Sequence, residues 1–398
     1  MTKLNVLVIG GGIGGTAATL ALLRAGMDVN LYEQADVQKE VGAGIQISPN
    51  AARQLARYGL AEALDECAVR PAATERRRWV DGRLLSRMPL GETVLEAFGA
   101  PYYHVHRADL LHILSDAVPR NRIHKAKRCV GIVDGEACAT AQFEDGTEAT
   151  ADLIIGADGI HSVVRQHIVG PDKPRFSGNV AYRGLAPVER LAHLDLETVG
   201  TGWFGPGGHF VHYFVSSGRH LNFVAVTEED TWSRESWTDP GSLDDAHRAF
   251  RGWHQQVHDI IDAVDETYKW ALFDRDPLPR WSKGNVTLLG DAAHAMLPYM
   301  AQGAVQSIED GATLAACLKE AELHDIGNAL VRYESLRQPR TAKIQEMSRA
   351  NAVNFHLPDG DEQKKRDAAL AQAAGDPLKS LAPLYGHDAE DLKTAIVG

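Results

Sequence analysis

An α/β fold, interrupted by an antiparallel sheet and closed by helices, is what three observations on this 398-residue chain predict. The chain opens as strand, glycine-rich turn, helix and strand. A second strand–glycine–helix pattern returns at Val286. Between them, over 175–272, aromatic and β-branched residues alternate between Gly/Ser turns. The chain is longer than one core usually serves, so two lobes are expected.

Leu4 to Ile9 is a short apolar run with Val and Ile, the pattern of a buried parallel strand. Gly10-Gly11-Gly12-Ile13-Gly14-Gly15 follows, then TAATLALLRAG, a helix ending at Gly26. Asp28 to Tyr32 is the next strand and delivers Glu33. This is a Rossmann-like βαβ unit. Gly10, Gly12 and Gly15 permit a tight turn and close approach of a pyrophosphate, and the helix aims its free N–H groups at that anion. Glu33 stands near the ~20-residue offset of the acid that accepts from a ribose hydroxyl. The motif alone does not separate NAD from FAD.

Ser48-Pro49-Asn50 opens a helix through Tyr58, with serine as N-cap, proline in the first turn and Gly59 as the stop. PYYHVHRADLLHILSDAV predicts a strand, Arg107 at its end, and a helix capped near Asp109. Asp145-Gly146 marks a hairpin. Ala151 to Gly159 is a buried strand ending in Gly156, Asp158 and Gly159. VAYRGLAPV, GWFGPGGHFVHYFV and LNFVAV supply the antiparallel sheet. After Gly303, helices run to about Phe355 and a polar tail follows, His356 to Lys379. The expected organisation is a nucleotide-binding domain assembled from 1–72, 101–174 and 273–355. A substrate-domain excursion at 73–100, a β-rich substrate domain at 175–272 and a tail or helix at 356–398 complete it.

Apolar content of 44% and charged content of 24% describe an ordinary globular protein. A formal charge of −12 without any long Lys/Arg run argues against nucleic acid and anionic membranes as partners. The four cysteines show neither metal spacing nor a disulfide framework, which points to the reducing cytoplasm. No apolar run approaches the ~20 residues of a membrane span, and the N-terminus lacks a signal-peptide pattern. His294, Met296 and Met300 lack a third hard ligand, so they are read as pocket lining or packing and no metal is expected. The partner left is a small molecule, bound by a monomer or homodimer.

GDAAHAMLPYMAQGA, Gly290 to Ala304, raises the question of why a second nucleotide-type turn is needed. FAD is long enough to answer it, with one end at the first glycine turn and the other near Asp291. Gln302-Gly303-Ala304 begins a helix whose unpaired N–H groups and dipole favour negative charge at the flavin. An ordinary strand–turn–helix fits the stretch equally well.

Three signatures together resemble the single-component FAD-dependent aromatic hydroxylases, the para-hydroxybenzoate hydroxylase fold group: VIGGGIGG with Glu33, ADLIIGADGIHSVVR, and LLGDAAHAMLPYMAQGA. Within that group the chain is most similar to salicylate and hydroxybenzoate hydroxylases and to 6-hydroxynicotinate 3-monooxygenase, also through RFSGNVAYRG and PLYGHD. The resemblance implies a Rossmann-like FAD-binding domain with an inserted antiparallel substrate domain. It places Glu33 on the adenosine ribose, Arg107 by the pyrophosphate or ribityl chain, Gly290 and Asp291 on the ribityl side, and Gly303 and Ala304 at the flavin. Asp158 falls in a stretch associated with FAD and with NAD(P)H use, although a turn-stabilising role is a rival. NADH or NADPH would reduce FAD, O₂ would add at flavin C4a, and the resulting hydroperoxide would hydroxylate a small phenolic acid, with CO₂ lost where the target carbon bears a carboxylate.

In HFVHYFV, alternation places His209, Val211 and Tyr213 on one face. The resemblance makes His209 the group that strips a phenol proton and Tyr213 the group that holds the phenolate or a carboxylate. Gln46 stands where 6-hydroxynicotinate enzymes have His, and Pro298 where some 3-hydroxybenzoate 6-hydroxylases have Gln, which tilts the expectation towards salicylate. Met300 would line the pocket, and Arg183 is either a carboxylate anchor or a structural arginine. A nicotinamide dehydrogenase fits the first βαβ unit but not Gly290 to Ala304. A non-catalytic flavin carrier, and urate- or quinolone-type hydroxylation, also remain open.

Overall fold

The computed structural model describes residues 3–37, 44–230, 240–320, 325–372 and 377–393. The chain starts with β1 (Asn5–Ile9), α1 (Ile13–Arg24) and β2 (Asp28–Tyr32), then β3 (Gly44–Ile47), α2 (Pro49–Arg57) and α3 (Ala61–Cys67). It crosses out through β4 (Ala73–Arg78), β5 (Leu84–Pro89) and α4 (Gly91–Phe98). It returns through β6 (Tyr103–His106), α5 (Arg107–Ala117) and β7 (Ile123–His124). A small meander, β8 (Cys129–Asp134), β9 (Ala139–Phe143) and β10 (Glu148–Ala151), leads to β11 (Leu153–Gly156) and α6 (Val163–Val169). The long strands follow: β12 (Arg175–Pro187), β13 (Gly200–Gly205), β14 (Gly208–Val215) and β15 (His220–Glu228). Then come β16 (Pro240–Gly241), α7 (Leu243–Ala249), α8 (Gln255–Asp262) and β17 (Thr267–Asp274). The last part is β18 (Ser282–Lys283), β19 (Val286–Leu288), α9 (Asp291–His294), α10 (Gly303–Lys319), α11 (Ile326–Phe355), α12 (Asp361–Gln372) and α13 (Pro377–Tyr385).

Two sheets organise these elements. The first has the order β18-β19-β11-β1-β2-β7, with β19, β11, β1, β2 and β7 mutually parallel. Its central strands β1, β11 and β19 are nearly all buried, with Val6, Val8, Leu153, Ile154, Val286 and Leu288 in one core with α1 and with Ala139, Ala141 and Phe143 of the meander. The C-terminal ends of β1, β11 and β19 bring Gly10, Asp158 and Gly290 to one edge, the place where open α/β sheets bind ligands. Helices α1 and α10 meet so closely that a Cβ on Gly311 would stand 2.7 Å from Ala18 Cα.

The second sheet has the order β16-β17-β12-β15-β14-β13-β4-β5. One face buries Trp203, Phe210 and Phe223 against Phe250 of the α7–α8 connection and Val257 and Ile260 of α8. The opposite face follows from register. Arg183 pairs with Val224, Val224 with Val211, Val211 with Gly202, and Gly202 with Arg76, so these five share a row. His209 and Tyr213 lie on the same side as Val211.

Three expectations change. The helix after β6 begins at Arg107, with His106 as N-cap, so Asp109 sits in its first turn instead of capping it. The β-rich insert includes helices α7 and α8, which shield the sheet face that would otherwise lie bare. Residues after 355 do more than trail: His356 is buried, and Leu384 and Tyr385 pack with Tyr102 and Ile344. Part of that tail, 373–376, lies outside the described residues.

Candidate active site

The parallel-sheet edge and the His209 face of the eight-stranded sheet make up the candidate site. At the parallel-sheet edge, Gly10 adopts φ +108° and a Cβ there would stand 2.3 Å from Ala157 O. At Gly15 a Cβ would stand 1.9 Å from Gly10 O. Both glycines are therefore required by the turn itself. Gly12 differs, because nothing lies within 4 Å of where its Cβ would be. Its missing side chain leaves space at the N-cap of α1, which is the room a pyrophosphate needs to reach the helix N–H groups.

Glu33, at the end of β2, accepts from Gly11 N–H at 2.7 Å through Oε2 and from Ala35 N–H at 2.8 Å through Oε1. These bonds fix the carboxylate beside the turn and leave each oxygen a second lone pair for ribose hydroxyls. At the other end, Gly290 (φ +60°) donates its N–H to Asp310 Oδ2 at 2.8 Å. Asp291 opens α9 with an exposed side chain; desolvation raises its pKa, against the pull of His294 and Arg107. Arg107 heads α5 within electrostatic reach of both Asp291 and Arg183. Gly303 and Ala304 begin α10, whose first turn has no side-chain cap. These features fit FAD stretched between the two turns.

Asp158 makes turn-stabilising bonds. Its Oδ1 accepts from Ser162 Oγ at 2.5 Å, and its Oδ2 accepts from the Val163 and Val164 N–H groups at 2.7 and 3.2 Å. The carboxylate thus orders the start of α6.

A buried network that sequence reasoning missed holds the second turn. Arg337 of α11 donates to Glu309 Oε2 at 2.5 Å and Asp310 Oδ1 at 2.7 Å, and Arg340 reaches Glu309 Oε2 at 2.8 Å. Asp310 Oδ2, besides Gly290 N–H, bonds His294 Nε2 at 2.6 Å. Burial pushes the Glu309 carboxyl up, but Arg340 and Arg337 outweigh it and hold the group well below its usual range. Adjacent acids inside an otherwise apolar helix were the available signal.

The second part of the site is the His209 face. His209 is buried, with Nδ1 2.8 Å from His356 Nε2 and its ring edge-on to Tyr299 and Phe355. Desolvation, then His356 and Arg76, pushes its pKa well down, so it is neutral. Tyr213 is buried against His104, with ring centroids 4.4 Å apart, and within hydrogen-bonding reach of Gln46; burial pushes its hydroxyl pKa up. Gln46 Oε1 accepts from Tyr102 Oη at 2.5 Å. Arg183 lays its guanidinium 4.0 Å from the Trp270 ring, and desolvation pushes it down to about 10. Met300 is half-buried beside Asn351, while Pro298 is exposed at the start of the same turn. The fold therefore gathers Gln46, Arg183, His209, Tyr213 and Met300 around one sheet face and leaves Asp158 away from it.

Residues 3–348 match the FAD binding domain family. A 3-amino-4-hydroxybenzoate 2-monooxygenase (PtmB3) of Streptomyces platensis is 44% identical over 97% of this chain and 96% of its own. A 6-hydroxynicotinate 3-monooxygenase of Pseudomonas fluorescens is 38% identical over 87% of this chain and 91% of its own. Among solved structures, a salicylate hydroxylase substrate complex superposes with a TM-score of 0.83 at 28% identity, covering 99% of both chains. Klebsiella pneumoniae HpxO complexed with FAD and uric acid gives 0.86 at 26% identity, covering 99% and 98%.

Proposed function

This chain belongs to the FAD-dependent aromatic monooxygenases, and from that premise we propose that its substrate is an aminohydroxybenzoate, hydroxylated on a ring carbon activated by the amino or hydroxyl group. One observation carries the reading. A neutral His209 and a buried Tyr213 share the sheet face that also bears two arginines, Arg76 and Arg183, with no carboxylate partner among the described residues. Such a face suits a small acid with an ionisable ring substituent. The similarity to the aminohydroxybenzoate enzyme supports this class over the salicylate expected from sequence.

FAD, when held by the glycine turn, Glu33 and the Asp291 turn, supplies the redox chemistry that NAD(P)H and O₂ feed. The residues do the rest. His356 Nδ1 lies 3.3 Å from Glu228 Oε1, which assigns the proton to Nδ1 and makes Nε2 an acceptor for His209 Nδ1–H. His209 Nε2 is then the lone pair left to take a proton from the ring substituent. Tyr213 and Gln46 orient the ring, and Tyr299, Phe355 and Leu297 keep water from the face. Arg107, Asp291, Gly303 and Ala304 would hold the cofactor's ribityl and flavin portions. The four cysteines are unpaired, which supports the reducing cytoplasm as the compartment.

The test is a panel of 3-amino-4-hydroxybenzoate, 4-hydroxybenzoate, salicylate, 3-hydroxybenzoate and 6-hydroxynicotinate, scored by hydroxylated product per NAD(P)H consumed. Coupled product from the aminohydroxybenzoate alone, or far above the others, is expected. Better coupling with salicylate or 6-hydroxynicotinate would replace the substrate while leaving the enzyme class.

A further inference from the structure

We propose that Arg76 is the carboxylate anchor of the substrate pocket, and so the residue by which this enzyme selects aromatic acids over neutral aromatics. The proposal rests on the reading of the pocket given above and deepens it. Arg76 belongs to the run Glu75-Arg76-Arg77-Arg78 on β4. Arg77 is neutralised by Glu75 at 2.7 Å and Arg78 faces Asp359 at 3.3 Å. Arg76 has no such partner among the described residues. Its Nη1 donates to Thr74 Oγ1 at 2.7 Å and to Glu75 O at 3.1 Å, both neutral acceptors, and its guanidinium lies 5.7 Å from the Phe204 ring.

Register aims it into the pocket. Arg76 pairs with Gly202, and Gly202 with Val211, the residue between His209 and Tyr213 on that face. Because position 202 has no side chain, Arg76 folds across it: a Cβ there would lie 3.5 Å from Arg76 Cδ and 3.8 Å from Nη1. The titratable groups facing it are Tyr102, Tyr385 and His209, none of them negative at neutral pH. Arg76 is only partly exposed, and desolvation lowers its pKa. A desolvated guanidinium without a counter-ion is costly, and a carboxylate that meets its planar donors two at a time offsets that cost.

Arg183 is the rival anchor. It lies four strands away in the same row, about 19 Å at the backbone for a ~4.8 Å strand spacing, so a single-ring acid cannot have its carboxylate on both. Its guanidinium rests on Trp270 and feels Arg107, which also acts on Asp291 of the cofactor groove. That puts Arg183 on the cofactor side and leaves the far end of the pocket to Arg76.

The experiment titrates FAD-loaded wild type, Arg76→Gln, Arg76→Lys and Arg183→Gln with 3-amino-4-hydroxybenzoate and with its carboxamide, reading the perturbation of the flavin spectrum. Arg76→Gln is expected to weaken the acid by about 10- to 100-fold, the scale of a lost charge-assisted hydrogen-bond pair, and to leave the carboxamide within about threefold. Arg76→Lys should fall between. FAD content and carboxamide binding report that the variants are folded. Equal losses for acid and carboxamide, an unchanged acid affinity, or an acid-specific loss confined to Arg183→Gln each overturn the assignment and leave the hydroxylase reading standing. A wild-type protein that holds FAD but takes none of the panel acids overturns that reading, and the anchor with it.

Discussion

His209 Nδ1 and His356 Nε2 stand 2.8 Å apart, one from the middle of the substrate sheet and the other at the end of the longest helix. Both rings are buried. The contact ties the C-terminal part of the chain to the sheet and fixes which nitrogen of His209 faces the pocket.

His209→Ala is therefore expected to keep FAD and the fold while lowering coupled hydroxylation by about 10²–10⁴-fold, the usual worth of a positioned general base. Product formation at saturating substrate, with FAD content as control, checks this. Turnover within a few-fold of wild type would remove His209 from the chemistry.

Acid sensitivity follows from the buried histidines. Desolvation pushes His104 and His212 down to about 3 and His356 to about 4, and burial also holds His209 well below its usual value. Groups with a depressed folded pKa favour folding above the unfolded value of 6.5, and that contribution disappears as pH falls through the folded values. Below pH 6.5 the unfolded chain binds more protons than the folded one, so stability should fall by about 1.4 kcal/mol per pH unit for each such histidine. Denaturant midpoints should be flat from pH 8 to 7 and drop steeply between pH 6.5 and 4. A flat profile to pH 4 would mean these rings are charged in the folded state.

Gly12 and Gly15 should separate binding from folding. Gly15→Ala places a Cβ 1.9 Å from Gly10 O, so the turn itself must distort and the protein should lose stability and FAD together. Gly12→Ala meets nothing within 4 Å and keeps an ordinary φ of −71°. It should unfold like wild type in the cofactor-free form yet bind FAD at least about tenfold more weakly, because the methyl intrudes on the pyrophosphate. Thermal unfolding and flavin titration of both variants decide it.

Much of this architecture was legible in the sequence because glycines and periodicity report backbone needs directly. The turn at Gly10 to Gly15, the strand ends at Asp158 and Asp291, and the shared face of His209 and Tyr213 all follow from local pattern. Arg76 and the Glu309–Asp310–Arg337 cluster did not, since an arginine in an Arg-Arg-Arg run looks like a solvated face until strand register shows which one points inward. His356 was hidden for a similar reason: a polar, Pro/Gly-punctuated tail looks loose until its long-range contacts are known. Helices α7 and α8 went unseen in a segment dominated by sheet signals.

The buried charge cluster makes its own prediction. Arg337→Met removes the guanidinium that bridges Glu309 and Asp310 inside the fold and should cost about 3–5 kcal/mol. Asp310 also holds Gly290 N–H, so FAD affinity should fall as well. Denaturant unfolding together with flavin titration measures both losses; a loss below about 1 kcal/mol would show that the cluster is solvated.

The central claim is that FAD, stretched between the Gly10–Gly15 turn and Asp291, lets this protein place an oxygen atom on an aromatic acid. Reaction of the purified yellow protein with NAD(P)H, 3-amino-4-hydroxybenzoate and ¹⁸O₂, followed by mass spectrometry, tests it most directly. The account predicts one labelled oxygen in the ring for each NAD(P)H consumed. Unlabelled product, or NAD(P)H oxidised to peroxide alone with every acid of the panel, would contradict it.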